Sequence, residues 1–448
     1  MSIKKLLNTM FKATFRLIIS IYLTINIILV STVLFGTLAT ADEQVSVDDE
    51  FDIDTIGLQW VYERPDKSEE GTPTCWKLRW SPDGEKIAVV YFDNTTIIFE
   101  ARTGKVIKAL GTSAEVIMGE DEEPEESNKT RTRCFGYTNI KSDALLRAVA
   151  WSPDGKLLAT GGDHRLIEIF NTSTWETEKV LEGHTGSVLS LDWSPDGARL
   201  ASGEGTDQVV AHNHQTNKNL IKIWDVKSWQ ELRSLEGHKD GIMSLQWSLD
   251  SKKIVSAGDS RDRNLKLWDM DDYSLMFTLG EGLGHSSGVL DVDWSPNQTV
   301  LVSSSRDFKI RLWNVSDGMP IGKPWKDNNC VRSAHWHPDS EYIATAGVDQ
   351  RLKIRNATSG KVLKEFTEAE ETNSEVMSAR WSPDGKKLAA CSSRDATVRL
   401  YSTGWEESGS SEFTSEYATG IAIFFLIVII GIILIYIPLR NEFREHRK

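Results

Sequence analysis

One pentapeptide recurs along this chain of 448 residues: Trp-Ser-Pro-Asp-Gly, intact or nearly so. Its tryptophans are Trp80, Trp151, Trp193, Trp247, Trp294, Trp336 and Trp381, at intervals of 71, 42, 54, 47, 42 and 45 residues. A period in the forties that keeps returning the same turn chemistry is an internal repeat, and it governs the fold.

Residues 187–235 show what one unit is. Leu189, Leu191 and Trp193 alternate with Val188, Ser190 and Asp192, the period of a strand. Ser194-Pro195-Asp196-Gly197 ends it: Pro presets φ, Asp bonds its own backbone, and Gly accepts positive φ, which together make a tight turn. Arg199-Leu200-Ala201-Ser202 opens a second strand, 220–224 a third and 231–235 a fourth. Four short strands, seven times over, predict a closed radial array of small sheets.

Here the residues resemble the WD-repeat β-propeller family. Trp224-Asp225 and Trp268-Asp269 match its name-giving dipeptide, and Gly183-His184, Gly237-His238 and Gly284-His285 its other signature. The resemblance spans residues 56–404 and implies an all-β fold, a seven-bladed β-propeller of four-stranded antiparallel blades. It also implies a structural polar network in some blades: His285, Ser303, Asp307 and Trp313 in one, His238, Ser256, Asp262 and Trp268 in another, and His184, Ser202 and Trp224 in part in a third. Phe99, Phe170 and Tyr401 replace the third-strand Trp elsewhere, Arg355 replaces it with a charge, and one turn reads His337-Pro338-Asp339-Ser340. Those blades are expected to rely on apolar packing. The last repeat stops after its third strand, so the segment 56–63 is expected to complete the final blade and remove an open edge.

The chain carries a net charge of −14; the first 41 residues contribute +4 and residues 440–448 contribute +2, leaving −20 on 42–417. Nucleic-acid binding wants the opposite sign. Residues 421–437 form an uncharged apolar run, flanked on one side by Glu406, Glu407, Glu412 and Glu416 and on the other by Arg440, Arg444, Arg447 and Lys448. Extended to 420–439 it has the length of a bilayer span, and the positive-inside rule puts the basic tail 440–448 in the cytoplasm. Lys4, Lys5, Lys12 and Arg16 precede an apolar stretch at 17–35, followed by Ala39-Thr40-Ala41, the pattern of a signal peptide over 1–41 or of an uncleaved anchor. Either places 56–404 outside the cytoplasm, between an acidic linker at 42–55 and a juxtamembrane linker at 405–419. The protein is then single-pass, or two-pass if the N-terminal segment stays.

Cys75, Cys134, Cys330 and Cys391 fall in that outside region, where disulfides are permitted. Cys75 and Cys134 flank neighbouring connections and form the candidate pair; Cys330 and Cys391 read as packed strand residues. No CxxC spacing supports zinc or redox chemistry.

Two insertions break the period: 112–145, containing the acidic run 120–126, and 204–219. Both connections emerge on one face of a propeller, and long loops in compact domains are often functional. Arg261, Arg306 and Arg394 precede the turn Asp of their blades on this face, set either to recognise acidic groups or to pair with neighbouring Asp residues. His212 and His214 lack a third ligand, and the sequons at Asn94, Asn128, Asn171, Asn297, Asn314 and Asn356 are as frequent as Ser and Thr content makes them. No Gly-x-Ser-x-Gly, Walker A or His-Glu-x-x-His motif is present. The expectation is a non-enzymatic, membrane-anchored scaffold that binds protein partners, with no cofactor, no metal and no nucleic acid. The alternatives are an extracytoplasmic propeller of envelope assembly and a propeller hydrolase.

Overall fold

The computed structural model describes residues 53, 56–64, 74–111, 145–205, 218–280, 282–367 and 374–403. Outside them lie the expected signal segment 1–41, most of both insertions, Cys134, Asn128, His212, His214 and the apolar run 421–437. Among the described residues no helix is long and apolar enough to cross a membrane.

Seven four-stranded antiparallel sheets are arranged as blades. Their inner strands are Cys75–Trp80, Leu146–Trp151, Ser187–Trp193, Ile242–Trp247, Val289–Trp294, Val331–Trp336 and Val376–Trp381. Each is numbered here by blade, one to seven. In six blades the strand order follows the chain; in blade seven the outer position is taken by Ile56–Tyr62, which pairs with Val398–Thr403. The expected closing strand is therefore present in the last sheet.

Blades are wedged together by apolar residues. One cluster joins blade one to blade seven through Leu78, Ile87, Phe99, Met377, Ala389 and Leu400, and others join blades three and four and blades four and five. The repeated Trp has a defined task at these seams. Trp80 donates its indole N–H to the Arg380 carbonyl (2.9 Å), Trp151 to Arg79 (3.2 Å), Trp193 to Ala150 (3.2 Å), Trp247 to Asp192 (3.2 Å) and Trp294 to Gln246 (3.3 Å). In each case the acceptor is on the inner strand of the preceding blade, one residue before that blade's own Trp. The following Ser-Pro-Asp-Gly folds back on itself: Asp83 accepts from Glu85 N (3.0 Å) and Ser81 Oγ from Lys86 N (2.8 Å), while Gly84 adopts φ 70°.

The registers define two faces. Cys75 at the start of an inner strand pairs with Tyr91 at the end of the second, and Thr96 at the start of the third pairs with Leu110 at the end of the outer strand. The segments flanking both insertions, Leu110 with Leu145 and Gly205 with Lys218, thus lie on one face. The Trp-Ser-Pro-Asp-Gly turns lie on the other, and so do Thr403 and its partner Ile56.

The sequence expectation paired Cys75 with Cys134. The structure instead bonds Cys75 to Cys391, with Cα atoms 6.2 Å apart. Cys75 opens the inner strand of blade one and Cys391 lies in the second strand of blade seven, and both are buried in the cluster between those blades. Proximity along the chain favoured Cys134, but ring closure brings together residues 316 apart. Cys330 is free, and burial raises its thiol pKa.

Candidate functional site

The expected polar networks are in place and they brace the inserted face. In blade five, His285 Nδ1 faces Asp307 (3.0 Å), its Nε2 meets Ser303 Oγ (2.8 Å), and Trp313 Nε1 donates to that same oxygen (2.8 Å). Blade four repeats this with His238, Asp262, Ser256 and Trp268. An ionised carboxylate only accepts, so Nδ1 carries the proton and Nε2 accepts from the Ser hydroxyl. Burial lowers the pKa of His238 and of His285, and keeps the rings neutral.

Blade three has a complete network as well. The period of the sequence puts Glu204 at the start of the 204–219 insertion, but the second strand runs Arg199–Gly205. Glu204 supplies the carboxylate to His184 Nδ1 (3.0 Å), and accepts from Thr185 N (3.0 Å) and Leu220 N (3.3 Å). Burial raises its pKa, but the hydrogen bonds from His184, Thr185 N and Leu220 N outweigh this and hold it at about 2. The longer side chain reaches from the strand end to the place that Asp takes after the turn in other blades.

Blades six and seven depart from expectation, because they are also held by polar networks. Arg355 Nε donates to Thr345 Oγ1 (3.0 Å), as an indole N–H does to Ser in blades three, four and five, and its Nη2 meets Asp327 (2.5 Å). Lys353 pairs with both Asp327 and Asp349. Asp327 stands nine residues before Trp336, as His285 stands nine before Trp294. In blade seven, Ser374 donates to Asp395 (2.9 Å), and Arg399 reaches Asp395 (3.3 Å) and Thr397 (2.6 Å). The substituted residues could not be left unpaired in a dry core, so each brought its own counter-group. Phe99 is fully buried among Ile87, Val89 and Ile97, as expected for blade one.

Around the inserted face four arginines have carboxylate partners. Arg261 meets Asp240 (3.4 Å) and Arg306 meets Asp259 of the adjacent blade (3.1 Å). Arg147 bonds Asp163 (2.8 Å) and lies over the rings of Trp76 and Phe92, and Arg332 bonds Glu375 of the next blade (2.8 Å). Arg394 is exposed; its backbone N–H donates to Ser374 Oγ (3.0 Å). Arg261 and Arg306 thus have local carboxylate partners, and among the described residues no carboxylate pairs with the guanidinium of Arg394. Leu283 and Phe308 are exposed on the same face.

The axis has no signature within any one repeat. Counting back from each repeat Trp defines three tiers. Four residues before it, at the mouth on the inserted face, stand Trp76, Arg147, Leu189, Met243, Leu290, Arg332 and Met377. Three before it come Lys77, Ala148, Asp291 and four Ser residues; one before it come Arg79, Ala150, Asp192, Gln246, Asp293, His335 and Arg380. Arg380 Nη2 reaches both oxygens of Asp291 at 2.9 Å, and Ser244 and Ser333 also donate to that carboxylate (2.9 and 3.2 Å). Asp192 and Asp293 accept backbone N–H bonds from Trp247 and Trp336 at 2.7 Å. Burial raises the pKa of Asp192 to about 6 and of Asp293 to about 7. Burial, with Arg380 next, lowers that of Arg79 to about 10. Alternating polar residues on strands that also carry apolar ones were the available signal. They became a site only once seven strands were brought around one axis.

The "WD domain, G-beta repeat" model matches residues 134–171, 175–211, 229–269, 276–314, 323–356 and 360–402, together more than half of the chain. The chain belongs to the WD-repeat family. A second model, the "Anaphase-promoting complex subunit 4 WD40 domain", matches residues 38–119. Among curated relatives, protein HIR1 of Cryptococcus neoformans is 29% identical over 229 residues, 46% of this chain and 25% of that protein. The B-type cell cycle switch protein ccs52B of Medicago truncatula is 24% identical over 271 residues, 60% of this chain and 51% of that protein. WD repeat-containing protein slp1 of Schizosaccharomyces pombe is 26% identical over 251 residues, 55% and 47% respectively. The chain thus spans about half or less of the length of these relatives.

Within the WD-repeat frame, the networks and paired arginines describe a rigid face. It is suited to contact by shape and charge, and its apolar mouth is surrounded by ion pairs. Among the described residues no group of three His, Cys, Asp or Glu is arranged to hold a metal.

Proposed function

We propose that this WD-repeat protein is a membrane-anchored, non-enzymatic scaffold whose propeller lies outside the cytoplasm and binds protein partners through the inserted face. The observation that carries the reading is the composition of that face: apolar residues at the axial mouth, cross-blade ion pairs around them, and both insertions opening onto it. Buried apolar centres with polar rims are the anatomy of protein interfaces. Relatives named as a cell cycle switch protein and a WD repeat-containing protein carry no reaction in their names, which favours binding over catalysis.

The disulfide between Cys75 and Cys391 supports an oxidising compartment. The apolar run at 421–437 supports an anchor, with the basic tail 440–448 cytoplasmic. The chain enters and leaves the last sheet at Ile56 and Thr403 on the turn face, so an anchored propeller turns its inserted face outward.

Amine crosslinking on intact membranes, followed by mass spectrometry, tests this reading. Partner crosslinks are expected at Lys218 and Lys239 on the inserted face, and not at Lys156, Lys252 or Lys386 on the turn face. Crosslinks confined to the turn-face lysines would reverse the orientation. A propeller digested only after the cytoplasmic side is opened to protease would remove the topology.

A further inference from the structure

The mouth of the axis contains a cleft with apolar walls and a polar floor. Trp76, Met243, Leu290 and Met377 form the walls, and Lys77 and Arg380 lie at the floor. The floor's charges are not equivalent. Asp291, also at the floor, is saturated: it takes both contacts from Arg380 and the hydroxyls of Ser244 and Ser333. Arg380 is buried and committed to that carboxylate. Lys77 differs. Its Nζ donates to the carbonyls of Leu189 (2.9 Å) and Met243 (2.7 Å), and no carboxylate among the described residues forms an ion pair with it. An ammonium has three hydrogens, so one has no partner among the described residues, and the charge is balanced by the two carbonyl dipoles and by Asp291 without direct contact.

We propose that this cleft recognises a peptide segment that presents a carboxylate beside an apolar side chain, with Lys77 Nζ as the donor. The apolar walls would bury the side chain, and the carboxylate would complete the ammonium's third hydrogen bond. A basic segment is disfavoured, because Arg147 and Arg332 stand at the mouth, Lys77, Arg79 and Arg380 lie beneath it, and Asp291 is already occupied. The inference rests on the inserted face being the partner surface, and names what its centre selects.

The geometry sets a pH dependence. Burial, then Arg79, Arg380 and Arg147, lower Lys77 to about 7, against the opposing pull of Asp291. A carboxylate binds the protonated lysine, so affinity falls as pH rises through 7.

The test uses the full-length protein and a fluorescein-labelled Gly-Ser-Gly-Ser-Leu-Leu peptide with a free C-terminal carboxylate, against the same peptide as its amide. Fluorescence polarisation is expected to show the acid binding about tenfold more tightly than the amide, weakening from pH 6.5 to 8.5, with the preference lost in Lys77→Met. In the wild type, the acid but not the amide should protect Lys77 from acetylation, a readout independent of whether Lys77→Met folds. Equal binding of acid and amide, no binding of either, or acetylation of Lys77 unchanged by the acid would each overturn the proposal. If partner crosslinks at Lys218 and Lys239 persist when the peptide fails, the pocket is wrong and the scaffold reading stands. Loss of those crosslinks from the wild-type inserted face is the separate failure of the scaffold reading.

Discussion

The last position of the Trp-Ser-Pro-Asp-Gly turn shows what a single residue decides. Gly84, Gly155, Gly197 and Gly385 sit at φ between 70° and 74° there, while Ser251, Gln298 and Ser340 hold φ of 58°, 60° and 69°. The left-handed region costs a residue with a Cβ about 1–2 kcal/mol. Two of the substitutions bring a compensation: Ser251 Oγ accepts from Asp196 N of the neighbouring blade (3.1 Å), and Gln298 Oε1 from Leu249 N (2.9 Å). Ser340 shows no such bond. Ser340→Gly is therefore expected to raise stability by about 0.5–1 kcal/mol after the added chain entropy of Gly is counted, read as a shift in the denaturation midpoint. Glu204→Ala leaves His184 Nδ1 and the Thr185 and Leu220 N–H groups without their acceptor, at a cost of about 2–3 kcal/mol in the same measurement. The turn residues were legible because their chemistry is local. Glu204 was not, because its role depends on where the second strand ends.

At the scale of the blade, the polar networks tie stability to pH. Burial lowers the pKa of His184, His238 and His285 below the ordinary value. A neutral buried ring stabilises fully above the unfolded pKa of about 6.5, and that contribution declines as pH falls below it. Glu204 at about 2 and Asp307, also lowered, stabilise fully above the ordinary carboxylate range and lose that contribution as pH falls through their folded values. Both signs agree for these blades, so their stability is expected to fall from about pH 6.5 downward. The Glu204→Gln variant should lose less than the wild type between about pH 4 and pH 2; parallel losses in urea melts across that range would refute the assignment. His285, Ser303, Asp307 and Trp313 could be read from motif spacing alone. Arg355 with Asp327 could not, since a charge in place of the third-strand Trp gives no hint of its partner until the sheet register aligns them.

The whole ring is closed at one seam, between blades one and seven. There the strand Ile56–Tyr62 completes the last sheet, and its Trp60 crosses to blade one, donating Nε1 to the Ala101 carbonyl (2.9 Å) and packing on Phe99. Gly104 sits so close to Trp60 that a Cβ there would lie 2.6 Å from the ring. Arg64 then reaches Asp93 at 2.8 Å, and the disulfide between Cys75 and Cys391 joins the two blades covalently. Trp60→Ala is expected to cost about 3 kcal/mol, and Cys391→Ser about 3–4 kcal/mol through loss of a long-range crosslink. The double variant should depart from the sum, because both act on one seam; strict additivity in chemical denaturation would argue against a shared closure. Peptide mapping without reductant should recover Cys75 joined to Cys391, not to Cys134. The sequence by itself determined the period, the turns, seven blades of four strands and the third-strand position that Trp, Phe, Tyr or Arg occupies, because each depends on residues within one repeat. Only the tertiary structure decided which cysteine meets Cys75, that Asp327 and Glu204 complete their networks, and that seven inner strands build a charged axis beneath an apolar mouth. Those contacts join residues from separate repeats, or from strand ends whose limits pairing sets, and no local pattern records what closing the ring brings together.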